Sequence, residues 1–159
     1  MYERILLAYD GSREGLVALR EGALLAKRCR AQVFLLSVIP EAGGVALAQG
    51  ANPDGLGPQI ESYKALLARG VEVLGRLGLE PTAKLVKGEP VIQIGRFAEA
   101  IDADLVVLGH RRQSLLQRWW SGSTGAYVSD HVHCSILIGR KAISDEVFEA
   151  ELVNGATLA

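Results

Sequence analysis

Two short stretches bring together residue types that could hold an anionic ligand. The first is Gly109-His110-Arg111-Arg112, followed after nine residues by Gly122-Ser123-Thr124. A glycine at the end of a strand lets main chain approach a ligand closely. A glycine and a hydroxyl at a helix start leave free N–H groups pointing into the crevice, which suits a phosphate. The second stretch is Asp10-Gly11-Ser12, whose carboxylate could accept hydrogen bonds from a ribose hydroxyl. Each also has a plainer reading. Gly122-Ser123 reads equally as a capped helix start, and Asp10-Gly11-Ser12 as a strand-to-helix turn.

Other clusters are weaker. His131, His133 and Cys134 form a tempting metal triplet, but there is no distant fourth ligand, so metal binding is not expected. Arg111, Arg112 and Arg118 lie near Trp119 and Trp120, either as an anion site with an aromatic wall or as a loop whose tryptophans pack inward. His110 reads as a loop histidine beside the phosphate candidate, and Cys29 and Cys134 as small core residues. Several motifs are missing: a Gly-x4-Gly-Lys-Ser/Thr loop, Gly-x-Gly-x-x-Gly after the first strand, His-Glu-x-x-His, Cys-x-x-Cys and Gly-x-Ser-x-Gly. No pair of carboxylates suits acid and base roles, so catalysis has no obvious carrier.

The elements that must position these residues alternate regularly. Arg4–Tyr9, Val33–Ile39, Thr82–Val86, Asp104–Leu108 and Ser135–Ile138 read as strands. Helical spacing predicts helices over Glu14–Arg30 and Gln59–Leu77, the latter stopped by Gly78, with a third opened by Gly88-Glu89-Pro90 and a short one over Gly122–His131. The strands are apolar on both faces, as in a sheet covered by helices on each side. The alternation predicts a doubly wound α/β sandwich with a parallel sheet. Ligands in such sheets sit beyond the carboxyl ends of the strands. The Gly- and Ala-rich stretch 40–58 reads as a flexible loop at that edge, ordered on binding, though part of it could be helical. Residues 142–159 read as a short helix over Asp145–Leu152, an arm for a neighbouring subunit, or a frayed end.

The 159 residues, 17.0 kDa, fit one domain. A net charge of −1 argues against bulk nucleic-acid binding. The longest apolar run, Val33–Ile39, is broken by Ser37 and is far short of a membrane span. The opening residues reach Asp10 too soon for a signal-peptide core, and the two cysteines form no motif, so a reduced, cytoplasmic setting is expected.

From about Tyr2 to Arg140 the chain resembles the universal stress proteins of the UspA type. Tyr9-Asp10-Gly11-Ser12, Leu36-Ser37-Val38-Ile39-Pro40, Gly88-Glu89-Pro90, Ala103–Gly109 and Gly122-Ser123 through Cys134 fall in the family's order and spacing. The resemblance implies a Rossmann-like, adenine nucleotide alpha hydrolase-like parallel sheet of five strands in the order 3-2-1-4-5, spanning 1–141, with 142–159 as an extension. It implies a homodimer paired through Ile136–Gly139; a higher oligomer and a further protein partner are also expected, and from charge and apolar run length neither nucleic acid nor membrane. It also implies ATP or another adenine nucleotide, with or without Mg2+. The nucleoside would meet Asp10 and the main chain of Val38, and the ribose and phosphates would meet Leu108, Gly109, Gly122, Ser123 and Thr124, with Arg112 as a further candidate of the site from the residues alone.

One position departs from the family motif: its second glycine is Arg112. That side chain could block the close approach, clamp a phosphate with a bidentate contact, or point into solvent. The expected function is therefore a nucleotide-binding stress-response module. The alternatives are an interaction protein with a degenerate site and a slow ATP hydrolase.

Overall fold

A computed structural model of the chain describes residues 1–40, 56–109 and 131–155. In chain order the elements are β1 (Arg4–Ala8), α1 (Arg13–Cys29), β2 (Gln32–Pro40), α2 (Leu56–Arg76), β3 (Thr82–Gly88), α3 (Pro90–Ala100), β4 (Leu105–Gly109), β5 (Ser135–Gly139) and α4 (Asp145–Gly155). The strands form one parallel sheet in the order β3-β2-β1-β4-β5, with Leu7 in register with both Leu35 and Val107.

Alternation along each strand sorts the apolar side chains onto two faces. Ile5, Leu7, Val33, Leu35, Leu105 and Val107 meet α1 and α2. Leu6, Phe34, Leu36, Val106 and Leu108 meet α3. β1 from Ile5 onward and the whole of β4 are apolar because both of their faces are covered, which is what the sequence predicts.

α1 lies close on the sheet because it presents small residues to it. A Cβ on Gly22 would stand 2.6 Å from a methyl of Leu7, and one on Gly139 would stand 2.5 Å from Cα of Ala18. Ser12 caps the helix start. At the far end Arg30, in the left-handed region at φ 55, ends it, and Gly78 at φ 73 plays that part for α2.

Some boundaries differ from the sequence reading. α2 begins at Leu56 and contains Pro58, so the far end of the 40–58 stretch is helix. Pro58 fits there because the first turn of a helix needs no N–H from it. Pro40 closes β2 as its last residue, where a missing donor costs little. β3 runs on to Gly88, at φ 138, where a Cβ would stand 2.6 Å from the Gln93 amide. Cys29 and Cys134 are half-buried rather than core residues. The short helix expected over 122–131 lies outside the described residues save His131, whose carbonyl comes within 2.5 Å of where Gly95 would carry a Cβ. Residues 41–55 of the expected loop lie outside them as well.

Within 142–159 the structure shows a helix over Asp145–Gly155, and residues 156–159 lie outside the described residues. α4 docks on its own domain through Phe148, which is 1% exposed and joins the core under α1 and α2. No described helix is long and apolar enough to cross a membrane.

Candidate functional site

Strand order changes direction between β1 and β4, so the ends of these strands border the crevice that such sheets use for ligands. Asp10 lies just past the end of β1. Its Oδ1 accepts from the Ser12 main-chain N–H at 2.9 Å and from the Ser12 hydroxyl at 2.5 Å. The same hydroxyl oxygen accepts from the Gly15 N–H at 2.9 Å. The carboxylate thus closes an Asx turn and steadies the residue that caps α1. Gly11, at φ 75, supplies the left-handed step, and Leu66 of α2 packs so close above it that a Cβ there would collide.

Two glycines bring the β1 turn and the end of β4 together. A Cβ on Gly15 would stand 2.5 Å from Asp10 Oδ1 and 3.1 Å from Ser12 Oγ. A Cβ on Gly109 would stand 2.8 Å from the main chain of Glu14 and Gly15. Gly109 is therefore glycine because the first turn of α1 rests on it. The sequence reading assigned its freedom to a ligand, and helix–strand packing accounts for it first.

β2 contributes from the other side. The Tyr9 N–H donates to the Leu36 carbonyl at 2.9 Å, and the buried Ser37 hydroxyl donates to the Tyr9 carbonyl at 2.7 Å. A side chain thus takes hold of the main chain where β1 ends. Since main-chain groups alternate in direction along a strand, the N–H and C=O of Val38 face the same side as those of Leu36. That is the side on which β1 has run out. Val38 itself is half-buried against the α3 face. Leu108 is buried, so only its main chain is available to a ligand.

Tyr9 forms the floor beneath the Asp10 turn, with its ring against Gly70. Burial pushes its phenol pKa up, Arg69 opposes that shift, and the Asp10 charge adds to it. The phenol therefore stays protonated through the physiological range and serves as a packing group.

Of the residues the sequence nominates, the structure brings Asp10 and Gly109 to one place, with Val38 and Leu108 on the bordering strands. Arg112, Gly122, Ser123 and Thr124 lie outside the described residues, as do His110, Arg111, Arg118, Trp119 and Trp120. His133 and Cys134 sit before β5, at the opposite end of the sheet from Asp10. Among the described residues, no group of three His, Cys, Asp or Glu side chains could hold a metal ion.

Gly15 and Leu66 escaped the sequence reading, which met Ser37 as a break in an apolar run and as part of a family motif without giving it a role of its own. Gly15 left a usable signal, since glycine inside a helix costs about 0.5–1 kcal/mol relative to alanine and requires a reason. Ser37 left another, as the one polar residue in the run Val33–Ile39.

Comparison with known proteins agrees with this fold. A universal stress protein of Methanocaldococcus jannaschii is 26% identical over 142 residues, covering 89% of this chain and 84% of that one. A universal stress protein family structure from Burkholderia pseudomallei superposes with a TM-score of 0.66 at 24% identity, covering 86% of this chain and 95% of its own. A universal stress protein solved in complex with cAMP superposes with a TM-score of 0.65 at 21% identity, covering 89% and 99%. At these identities the structural likeness speaks for the fold. The model of the universal stress protein family matches residues 1–140, and the chain belongs to that family.

Proposed function

We propose that the crevice between the ends of β1 and β4 binds an adenine nucleotide, ATP or AMP, and that the chain acts as a regulatory module in a stress response. The observation that carries this reading is the Asp10 carboxylate, clamped by Ser12, made room for by Gly15 and set beside Gly109. A carboxylate held in this way can meet a ribose hydroxyl without reorganising. The Val38 main chain on the neighbouring strand offers an N–H and a C=O to the edge of a base. The relative solved with cAMP supports the ligand class.

In this reading Leu108 and Gly109 contribute main chain, and Arg112, Gly122, Ser123 and Thr124 meet the phosphates. A Mg2+ ion would arrive on the phosphates, since Mg2+ is bound largely by water and phosphate oxygens. The described residues offer it no cage of their own. The nucleotide would act by favouring one conformation of the chain over another. The edge strand β5, with Ile136 exposed, is the surface proposed for pairing two copies in the cytoplasm.

The test is thermal melting with ATP, AMP and cAMP, run on the wild type, Asp10→Ala and Arg112→Gly. Ligand in hundredfold excess over Kd stabilises the folded state by about 2.7 kcal/mol. The expected result is a rise in Tm for the wild type that shrinks in Asp10→Ala. A wild type that no adenylate shifts, beside an Arg112→Gly variant that shifts clearly, would overturn the reading in favour of a degenerate site.

A further inference from the structure

α4 is an acidic helix laid on a basic surface. It carries Asp145, Glu146, Glu149 and Glu151 and no lysine or arginine. Beneath it lie Arg20, Lys27 and Arg28 of α1 and Arg76 of α2. Arg20 pairs with Asp145 at 2.5 Å, Arg28 with Glu151 at 2.7 Å and Arg76 with Glu149 at 3.1 Å. Lys27 Nζ donates to the Glu151 carbonyl at 3.0 Å.

Among the described side chains of α4, the buried apolar anchor is a single one. Phe148 is buried, with the Arg20 guanidinium 5.2 Å from its ring centroid, while Val147 and Val153 are exposed. A helix this short is marginal by itself in water, and ion pairs at a surface are weakened by salt. α4 also lies beyond residues 1–140, so the family domain does not include it.

Its linker is also held from outside the helix, through Glu21. The Arg140 and Lys141 N–H groups donate to Glu21 Oε2 at 3.2 and 3.3 Å, and Arg20 Nη1 donates to the Ile143 carbonyl at 3.1 Å. Release of α4 would therefore bare the surface while leaving the end of β5 fixed.

We infer that the face of α1 and α2 beneath α4 is an interaction surface for an acidic helix with one aromatic anchor, presented by a partner protein. α4 occupies that surface in cis as a displaceable competitor. Charge complementarity identifies the occupant. Four cationic side chains select an acidic segment, and the socket beside Arg20 selects an aromatic ring through cation–π attraction. α4 shows in cis what the surface accepts.

The experiment uses the full chain and a fluorescein-labelled peptide with the sequence of residues 142–155 as the probe, read by anisotropy. Phe148→Ser releases α4. This variant should bind the peptide at least about tenfold more tightly than the wild type, because the cis competitor is gone. Binding should weaken as NaCl rises from about 0.05 to about 0.5 M, and a peptide carrying Phe148→Ala should not bind. Should Phe148→Ser fail to fold, the variant Asp145→Asn with Glu149→Gln and Glu151→Gln loosens the helix from its charged side. Hydrogen exchange on the wild type should then show α4 amides exchanging at least about a hundredfold faster than those of α1. A folded, released variant that binds the peptide no better than the wild type overturns the proposal, as does α4 exchanging as slowly as α1. Concentration-dependent dimers of the released chain that compete with the peptide would also overturn it, by assigning the surface to a second copy.

Discussion

Gly15→Ala separates the site from the fold. The new Cβ would lie 2.5 Å from Asp10 Oδ1, about 0.8 Å inside an ordinary carbon–oxygen contact of about 3.3 Å. Both atoms belong to a turn fixed by three hydrogen bonds, so the carboxylate has to swing away from Ser12. Losing the support of the cap costs about 0.5–2 kcal/mol. Replacing a helical glycine by alanine returns about 0.5–1 kcal/mol. The two nearly cancel, so stability should change by no more than about 1.5 kcal/mol. For a chain of this size that corresponds to a fall in Tm of about 3–6 °C at most. Binding has no such compensation. A hydrogen bond to a charged group contributes about 1.5–3 kcal/mol, so displacing the carboxylate should weaken adenylate binding by about tenfold to a hundredfold. Calorimetric titration with ATP and AMP, beside circular dichroism melts, reads both quantities. A folded Gly15→Ala variant that binds adenylate as the wild type does would refute the reasoning that Asp10 must stand where this turn holds it.

Three further outcomes are expected. Ser37→Ala leaves the buried Tyr9 carbonyl without its 2.7 Å donor and should cost about 1–3 kcal/mol, seen as a lower urea midpoint. Gly109→Ala presses a Cβ against rigid main chain and should cost about 1–3 kcal/mol, whereas Gly75→Ala, with nothing within 4 Å, should stabilise by about 0.4–1 kcal/mol; paired melts check the opposite signs. Burial raises the pKa of the Cys134 thiol above its ordinary 9.0 and of the Tyr9 phenol above 10.0. The unfolded chain therefore loses these protons first, and stability, full below pH 9, should fall as pH rises past 9 and then 10. Tyr9→Phe should remove the upper part of that decline in denaturant titrations at alkaline pH.

The fold could be read in the sequence because its strongest signals are long and periodic. Strands apolar on both faces demand helices on both sides, and every strand from β1 to β5 lies where the pattern places it. Element ends were harder. The helical pattern of α2 shows from Gln59, but its first turn, with Gly57 and Pro58, looks like loop to any propensity argument. The docking of α4 is not legible locally because it depends on Arg20, which is 123 residues from the Ile143 carbonyl it holds. No local pattern encodes such a contact.

The site was only partly legible. Asp10 and Gly109 stand out by type and position, but their relation does not. It passes through the first turn of α1, where the missing side chain of Gly15 makes room for the carboxylate and that of Gly109 for the approach of β4. Ser37 was visible as a break in an apolar run, and that break proves to be the group holding β1 to β2 at the rim of the crevice. Gly109 carried a true signal with an incomplete explanation, since a ligand and a packed helix ask the same thing of that residue.

The central claim is that the turn built on Asp10 and the end of β4 form one side of an adenylate site. A crystal structure of the chain grown with AMP tests it most directly. The account predicts the ribose within hydrogen-bonding distance of the Asp10 carboxylate and the adenine edge against the Val38 main chain. An adenylate seated away from the ends of β1 and β4, or a crevice still empty at millimolar AMP, would contradict it.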